Sequence, residues 1–446
     1  MAQSRPSVRQ LGVRIVSQVR RNGHYADTLL EKALRQGRLS QTDKSLLSEL
    51  VHGTIRQRGY LDWVLSQLYR GDFARCSVEL KSILELSLYQ LEFLDKVPGY
   101  AAVSEGVDLA RRKGGASWAG LVNGILRSYL REKKSLTLPS VADDPVHAIA
   151  TRYSHPEWMV RRWLARYGTE DTVRYCEYNN RRPKICLRVN TSRIDRDGLI
   201  EQLHDLGLEA NPSENFEEFV RLDRLYDLTS SQLFTQGYFS IQDESTAISC
   251  KLLAPQEGEV VVDLCAAPGG KTCYLAHLTN DRATILAVDT NVERLKKLKQ
   301  NTSRFGLSGV QPLHQDARRL KGTKVDRILL DVPCSGLGVL SRRSDLRWRR
   351  NLEEIGKVSQ LQRALLENAS QILRRGGVLV YSTCTLEPEE TSLAIEAFLV
   401  DHPGFRVDSE YELDKICFKS QDGCWRSLPF LHDMDGTFSV RLVREY

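Results

Sequence analysis

Apolar positions recur every three or four residues through the first third of the chain. The runs are Leu11, Ile15, Val19, then Leu46, Leu47, Leu50, Val51, Ile55, then Leu80, Ile83, Leu84, Leu86, Leu88, Leu91. That is the period of an α-helix with one buried stripe. Ser40 ahead of Gln41-Thr42-Asp43 reads as a helix start. Residues 1–132 are therefore expected to form an all-α bundle. Residues 133–154, with Lys133, Lys134, Pro139, Asp143, Asp144 and Pro145, read as a linker. In 155–235 the pattern is mixed. A helix opens at His155-Pro156-Glu157 and runs through Trp158, Val160 and Trp163. Ile185–Val189 is a short β-rich run, Ile194–Leu206 is helical, and Phe216–Leu222 reads as a strand, so a small α+β adaptor module is expected.

From 236 to 446 the period alternates between strand and helix. Strands are expected at Val260–Leu264, Thr284–Val288, Val310–Leu313, Arg327–Leu330 and Gly377–Tyr381, with helices at Val292–Phe305 and Ile355–Leu373. This alternation predicts an α/β, Rossmann-like domain with a parallel, doubly wound sheet. No internal repeat or low-complexity segment interrupts the chain.

Composition narrows the function classes. With 41% hydrophobic and 27% charged residues among 446, wholesale disorder is excluded. No apolar run approaches the length of a membrane span. Arg5, Arg9, Arg14 and Arg20 break up the N-terminus before the apolar segment of a secretion signal can form. A cytosolic protein without membrane contact is expected. The ten cysteines include no CxxC pair and no zinc-finger spacing, so no metal is expected and the thiols should be free. The net charge of +6 is uneven: +9 over 1–140, −3 over 141–235 and 0 over 236–446. A basic N-terminal third suits a polyanionic partner, most simply nucleic acid.

In an open α/β sheet, ligands bind beyond the carboxyl ends of the strands. Here nearly every strand ends in an acid or a cysteine. The first runs into Asp263-Leu264-Cys265-Ala266-Ala267-Pro268-Gly269-Gly270-Lys271-Thr272. This is neither GxGxxG nor a phosphate-binding Walker loop. Ala267, Gly269 and Gly270 admit a ligand close to the backbone, and the helix starting near Gly270 offers free N–H groups to a carboxylate. Asp289 after the second strand suits a ribose diol, and Asp316 after the third suits an adenine amino group. A ligand with those three parts is an adenosyl amino acid, S-adenosyl-L-methionine.

Two cysteines follow strands beside that site: Cys334 in Asp331-Val332-Pro333-Cys334-Ser335-Gly336 and Cys384 in Tyr381-Ser382-Thr383-Cys384-Thr385. A lone strand-end cysteine is usually a small buried residue. Two beside a methyl-donor site fit one chemistry. C5 of cytosine is a poor nucleophile until a thiolate adds to C6, after which C5 can accept a methyl group. The C5 proton must then leave, through the second thiolate or a water it orients. Asp331 is suited to the N3/N4 edge of the base, which must be unpaired to be reached. Next in the chain, Arg342, Arg343, Arg347, Arg349 and Arg350 surround Trp348, a composition suited to phosphate contact and base stacking.

These motifs resemble the Sun-type RNA cytosine-5 methyltransferases, together with Gln242-Asp243-Glu244-Ser245 and the closing Asp435-Gly436-Thr437-Phe438-Ser439-Val440-Arg441-Leu442. The likeness spans 236–446. It implies that Cys384 is the nucleophile, that Cys334 assists proton removal or release, and that Cys265, Ala266, Ala267, Pro268, Gly269, Gly270 and Lys271 with Asp289, Asp316 and Asp331 line the cofactor site, Lys271 also reaching the base. Residues 1–132 resemble the NusB-like helical RNA-binding domain, through Ala33, Glu49, Val51, Gly53 and Val122-Asn123-Gly124-Ile125-Leu126-Arg127. Together the two resemblances imply an enzyme acting on one cytosine of small-subunit (16S) ribosomal RNA, protein-free or in early assembly. A tRNA substrate, and an assembly factor with a vestigial site, are the alternatives. Nothing demands more than a monomer. Residues 404–432, with Cys417 and Cys424, match no usable motif.

Overall fold

The computed structural model describes residues 6–36, 39–222, 228–322, 324–413 and 418–446; Cys417 lies outside them. The chain divides into two compact units, Met1–Arg181 with Leu340–Arg349, and Arg182–Val339 with Arg350–Tyr446.

The first unit is helical: α1 Val8–Asn22, α2 Ala26–Gln36, α3 Gln41–Arg56, α4 Arg58–Leu68, α5 Val78–Phe93, α6 Gly99–Glu132, α7 Pro145–Arg152 and α8 Glu157–Asn180. Ser7 and Gln10 close a capping box at the head of α1, and Ser40 caps α3 as expected. Leu50, Val64, Leu84, Leu88, Val122 and Leu126 are fully buried and form the centre of the bundle. The expected linker contains a helix, α7. The reason is local: the Asp144 carboxylate accepts from the His147 amide at 2.9 Å, and Pro145 occupies the first helical position, where its missing N–H costs nothing.

The second unit contains two sheets. In the smaller, β1 Ile185–Val189, β2 Ala210–Pro212, β3 Phe219–Leu222 and β4 Phe239–Ile241 pair antiparallel in the order β2-β3-β1-β4, with the helix Arg196–Asp205 packed on them. The larger contains β5 Val260–Asp263, β6 Thr284–Asp289, β7 Val310–His314, β8 Val325–Asp331, β9 Leu373–Thr383, β10 Phe405–Val407, β11 Trp425–Ser427 and β12 Thr437–Arg444. Its order is β10-β12-β9-β8-β5-β6-β7, with β11 paired to β12.

Strands β5 to β9 are parallel, as expected, but β10, β11 and β12 pair antiparallel, so the sheet is mixed. Alternation of strand and helix stops after the helix Ser392–Asp401, and without crossover helices the last strands pair antiparallel. Successive residues of the central strands point to opposite faces. Val261, Leu329 and Val380 pack into one core layer, and Val262, Ile328, Leu330, Leu379 and Tyr381 into the other. Burial on both faces explains why these strands read as unbroken apolar runs.

Candidate active site

Chain order reverses across the sheet between β5 and β8, so the crevice beyond their carboxyl ends is the topological switch point. Asp263 and Asp331 end those two strands. The helix Gly270–Leu278 starts between them and joins both. Lys271 Nζ donates to Asp331 Oδ1 at 2.5 Å and to Ser382 Oγ at 3.3 Å, and Thr272 Oγ1 donates to Asp263 Oδ2 at 2.7 Å. Burial pulls the Lys271 ammonium down, but the Asp331 carboxylate more than offsets it, and the lysine ends above its ordinary value. Asp263 is fully enclosed. Burial pushes its carboxyl up to about 7, against the hydrogen bond from Thr272. Its Oδ1 is buried and finds no partner within hydrogen-bond geometry.

The loop from Cys265 to Gly269 lies along this crevice. Gly269 has φ 99°, and a Cβ there would stand 2.8 Å from Leu298 Cγ, so only glycine fits. Asp289 is buried at the end of β6 and accepts from the amides of Ala267 at 3.1 Å and Asn291 at 2.8 Å, tying the loop to the neighbouring strand. Ala266 and Ala267 are buried, Cys265 and Gly270 half-buried, and Pro268 exposed. Asp316 caps the turn Ala317–Arg319 and forks with Arg318, whose hydrogen bonds hold the carboxyl below its usual range.

The two strand-end cysteines come together. Cys334 Sγ and Cys384 Sγ are 2.8 Å apart, both as free thiols and both half-buried. The hydrogen bond to Cys384 and then burial push the Cys334 thiol well above its ordinary value. The supporting backbone is close-fitting. Gly338 N donates to Cys384 O at 3.0 Å and Gly436 N donates to Gly338 O at 2.8 Å; a Cβ on Gly338 would meet Gly436 O at 1.9 Å. Behind Cys334, Glu390 Oε2 accepts from Ser335 N at 2.8 Å and from Gln362 Nε2 at 3.0 Å. Asp263 and Glu390 carried no assigned role in the sequence. An acid closing an apolar strand run was the only available signal for the first, and there was none for the second. Among the described residues, no group of three or more His, Cys, Asp or Glu could hold a metal ion.

The arginine-rich segment requires a correction. Arg347 belongs to the helical unit and is fully buried. Its guanidinium donates to the carbonyls of Arg56 at 3.2 Å, Ser154 at 2.9 Å and Asn179 at 3.0 Å, and to Asn180 Oδ1 at 2.8 Å. A side chain so enclosed does not reach a phosphate in solvent. Trp348 packs on the bundle core and donates to Ile55 O at 2.7 Å, with Arg58 over its ring, so it is no free stacking platform. Arg349 stacks on Tyr25 and donates to Gly23 O. Arg350, in the other unit, donates to Ser335 O at 2.8 Å and so braces the Cys334 loop. Arg342 is half-buried and Arg343 exposed, 3.8 Å from Asp27.

Three family models match the chain: the 16S rRNA methyltransferase RsmB/F over 250–443, the NusB family over 6–131, and the RsmF/B-like ferredoxin-like domain over 155–229. The probable ribosomal RNA small subunit methyltransferase B of Bacillus subtilis (strain 168) is 34% identical over 97% of both chains. The chain belongs to the ribosomal RNA small subunit methyltransferase B family. Members are S-adenosylmethionine-dependent ribosomal RNA methyltransferases, which agrees with the cofactor expected from the strand ends. The crystal structure of PH0851 superposes with a TM-score of 0.81 at 26% identity, covering 99% of both chains. That of NSun6 from Pyrococcus horikoshii with SFG gives a TM-score of 0.60 at 26% identity, covering 65% of this chain and 98% of that one. The NusB-like bundle, the small α+β module and the Rossmann-like domain are thus the family's architecture. Among the described residues, no helix is long and apolar enough to cross a membrane.

Proposed function

We propose that the protein methylates C5 of one cytosine in small-subunit (16S) ribosomal RNA through a covalent bond between Cys384 Sγ and C6 of the base. The observation that carries this reading is the pair of free thiols 2.8 Å apart, on loops that follow β8 and β9, with the Lys271–Asp331 pair at the ends of the neighbouring elements. One cysteine serves addition; a second in contact with it is placed to serve C5 proton removal.

The cofactor fits the residues present. Asp263 Oδ1 is a buried acceptor without a donor, as the ammonium of an amino-acid ligand requires. The loop Cys265–Gly269 and the start of the helix at Gly270 would hold its carboxylate, Asp289 the ribose, and Asp316 the adenine. Bound there, S-adenosyl-L-methionine supplies the methyl group for C5.

The chain's own residues do the remainder. Cys384 Sγ is the sulfur that attacks, giving its own proton to solvent as it adds, with Cys334 Sγ in contact with it. The S–C6 bond forms and electron density moves onto C5. Asp331 accepts from the N3/N4 edge, while the Lys271 ammonium balances its charge. Once Cys384 is bonded to carbon and the methyl group is on C5, Cys334 releases its own proton to solvent. Cys334 is then free to take the C5 proton, directly or through a water, as the S–C6 bond breaks and Cys384 leaves as a thiolate. The cytosol, where small-subunit RNA is made, is the place of action, and nothing in the site calls for a second subunit.

On the N-terminal bundle, a concavity of about 450 Å³ between α1, α5 and α6 is rimmed by Arg14, Arg112 and Lys113. All three are exposed, which favours this face for phosphate contact.

Labelled S-adenosylmethionine and protein-free small-subunit RNA test the reading, with wild type beside Cys384→Ala and Cys334→Ala. Label at a single cytosine C5, absent with Cys384→Ala although RNA still binds, is expected. Cys334→Ala is expected to accumulate an RNA adduct that survives denaturation. Turnover by Cys384→Ala overturns the nucleophile. Label on tRNA instead overturns the substrate, and label on neither moves the substrate to assembling subunits.

A further inference from the structure

We infer that Glu390 is a positioning residue whose buried carboxylate clamps the Cys334 loop to the Cys384 loop and thereby sets the distance between the two sulfurs. The inference rests on the two-cysteine reading above and adds a residue to which that reading gives no part.

Glu390 is 0% exposed, at the end of the turn Pro388–Glu390, six residues after Cys384. Its side chain reaches the other cysteine loop, where Oε2 accepts the Ser335 amide, the peptide N–H immediately after Cys334. Gln362 doubles the clamp. Its Nε2 donates both to Glu390 Oε2 at 3.0 Å and to Pro333 O at 2.9 Å, the carbonyl immediately before Cys334. The peptide groups on either side of the cysteine are therefore held by one carboxylate–amide pair. Tyr381, on β9, holds that pair, its single O–H shared between Glu390 O at 2.8 Å and Gln362 Oε1 at 3.1 Å. On the Cys384 side, Thr385 Oγ1 accepts from Ser335 Oγ at 3.0 Å and from the Glu387 amide at 3.3 Å.

Burying a carboxylate is unfavourable, and natural cores avoid it unless the group is satisfied. Here the acid is enclosed with no cation among its hydrogen-bond partners, and it binds the flanks of a reactive sulfur. Burial raises its carboxyl above the ordinary range, so an uncharged amide is a close replacement. Glutamine at 390 keeps an oxygen to accept from Ser335 and Gln362, while alanine removes it.

The test uses the full chain with Glu390→Gln, Glu390→Ala and Gln362→Ala, each checked by thermal melting. Two readouts are taken. The first is independent of RNA: diamide removes two electrons and two protons from the thiol pair, and peptide mass mapping follows formation of the Cys334–Cys384 disulfide. Wild type and Glu390→Gln are expected to cross-link at matching rates, and the two alanine variants about tenfold slower, because misplaced sulfurs meet less often. The second is turnover. Glu390→Ala is expected to lose kcat by about tenfold to a hundredfold with KM for S-adenosylmethionine within about twofold, and to accumulate the RNA adduct; Glu390→Gln is expected to recover most of the rate.

A folded alanine variant that cross-links at the wild-type rate overturns the clamp, as does a glutamine variant as slow as alanine. Should Glu390→Ala not fold, Gln362→Ala decides by the same readouts. Turnover by Cys384→Ala removes the two-cysteine reading without touching the cross-linking result, so the two failures are distinguishable.

Discussion

Asp263 is the residue whose charge state is most exposed to experiment. Folded, it holds its proton to about pH 7; unfolded, it releases it near the ordinary aspartate value of roughly 3.9. The folded state therefore binds the extra proton. The stability this contributes is complete below the unfolded value and is lost as pH rises through about 7. Without cofactor, the melting temperature of Asp263→Asn should rise relative to wild type as pH goes from 5 to 8, by differential scanning calorimetry. The ionised carboxylate is the form that receives a cationic ligand, so wild-type affinity for S-adenosylmethionine should rise from pH 6 to pH 8. Titration calorimetry reads this, and equal slopes in wild type and Asp263→Asn would remove the assignment. The cysteines, Lys271 and the strand-end acids were legible because motif and strand register put them on one rim. The part played by Asp263 and Glu390 was not, because it depends on enclosure and on which oxygen lacks a donor, and neither quantity is local in sequence.

At the scale of elements, two misreadings have the same origin. Asp144-Pro145 reads as a break and is a helix start; Arg342–Arg350 reads as a phosphate-binding loop, yet its centre is an internal brace. Composition reports what a segment can do in water, while the fold decides whether it meets water. Arg347 pins the end of α8 and the ends of α3 and α7 through carbonyl acceptors. Arg347→Ala should destabilise the helical unit by about 3 kcal/mol, the scale of hydrogen bonds from a charged donor. That corresponds to a melting shift of roughly 6–12 °C for a unit of this size. RNA affinity of the folded fraction should be unchanged. A loss of affinity without a melting shift would restore the phosphate role. The five parallel strands, by contrast, were readable to within a few residues at most boundaries, because burial on both faces leaves little but apolar residues between turns.

Across the whole molecule, charge is the property the sequence reports without knowledge of the fold: the surplus lies in the first 140 residues, and the bundle those residues build carries exposed cations around a concavity. Each phosphate neutralised on single-stranded RNA contributes about 0.7 to the slope of log affinity against log salt. Reversing Arg14, Arg112 and Lys113 together to glutamate should lower that slope by about 2 in fluorescence anisotropy titrations. The diamide cross-link in the other unit should be unaffected. An unchanged slope would move the RNA-binding face elsewhere on the bundle.

Under the covalent mechanism proposed above, the contact between the two sulfurs also constrains stereochemistry. At 2.8 Å they are too close to admit a ring between them, so both must address cytosine from the same side of its plane. The sulfur joined to C6 and the sulfur nearest the C5 hydrogen then share a face, and the incoming methyl is left with the opposite one. Bond formation at C6 and departure of hydrogen from C5 become syn events. The handedness of the transient saturated ring is thus written into the spacing of two side chains before any substrate arrives.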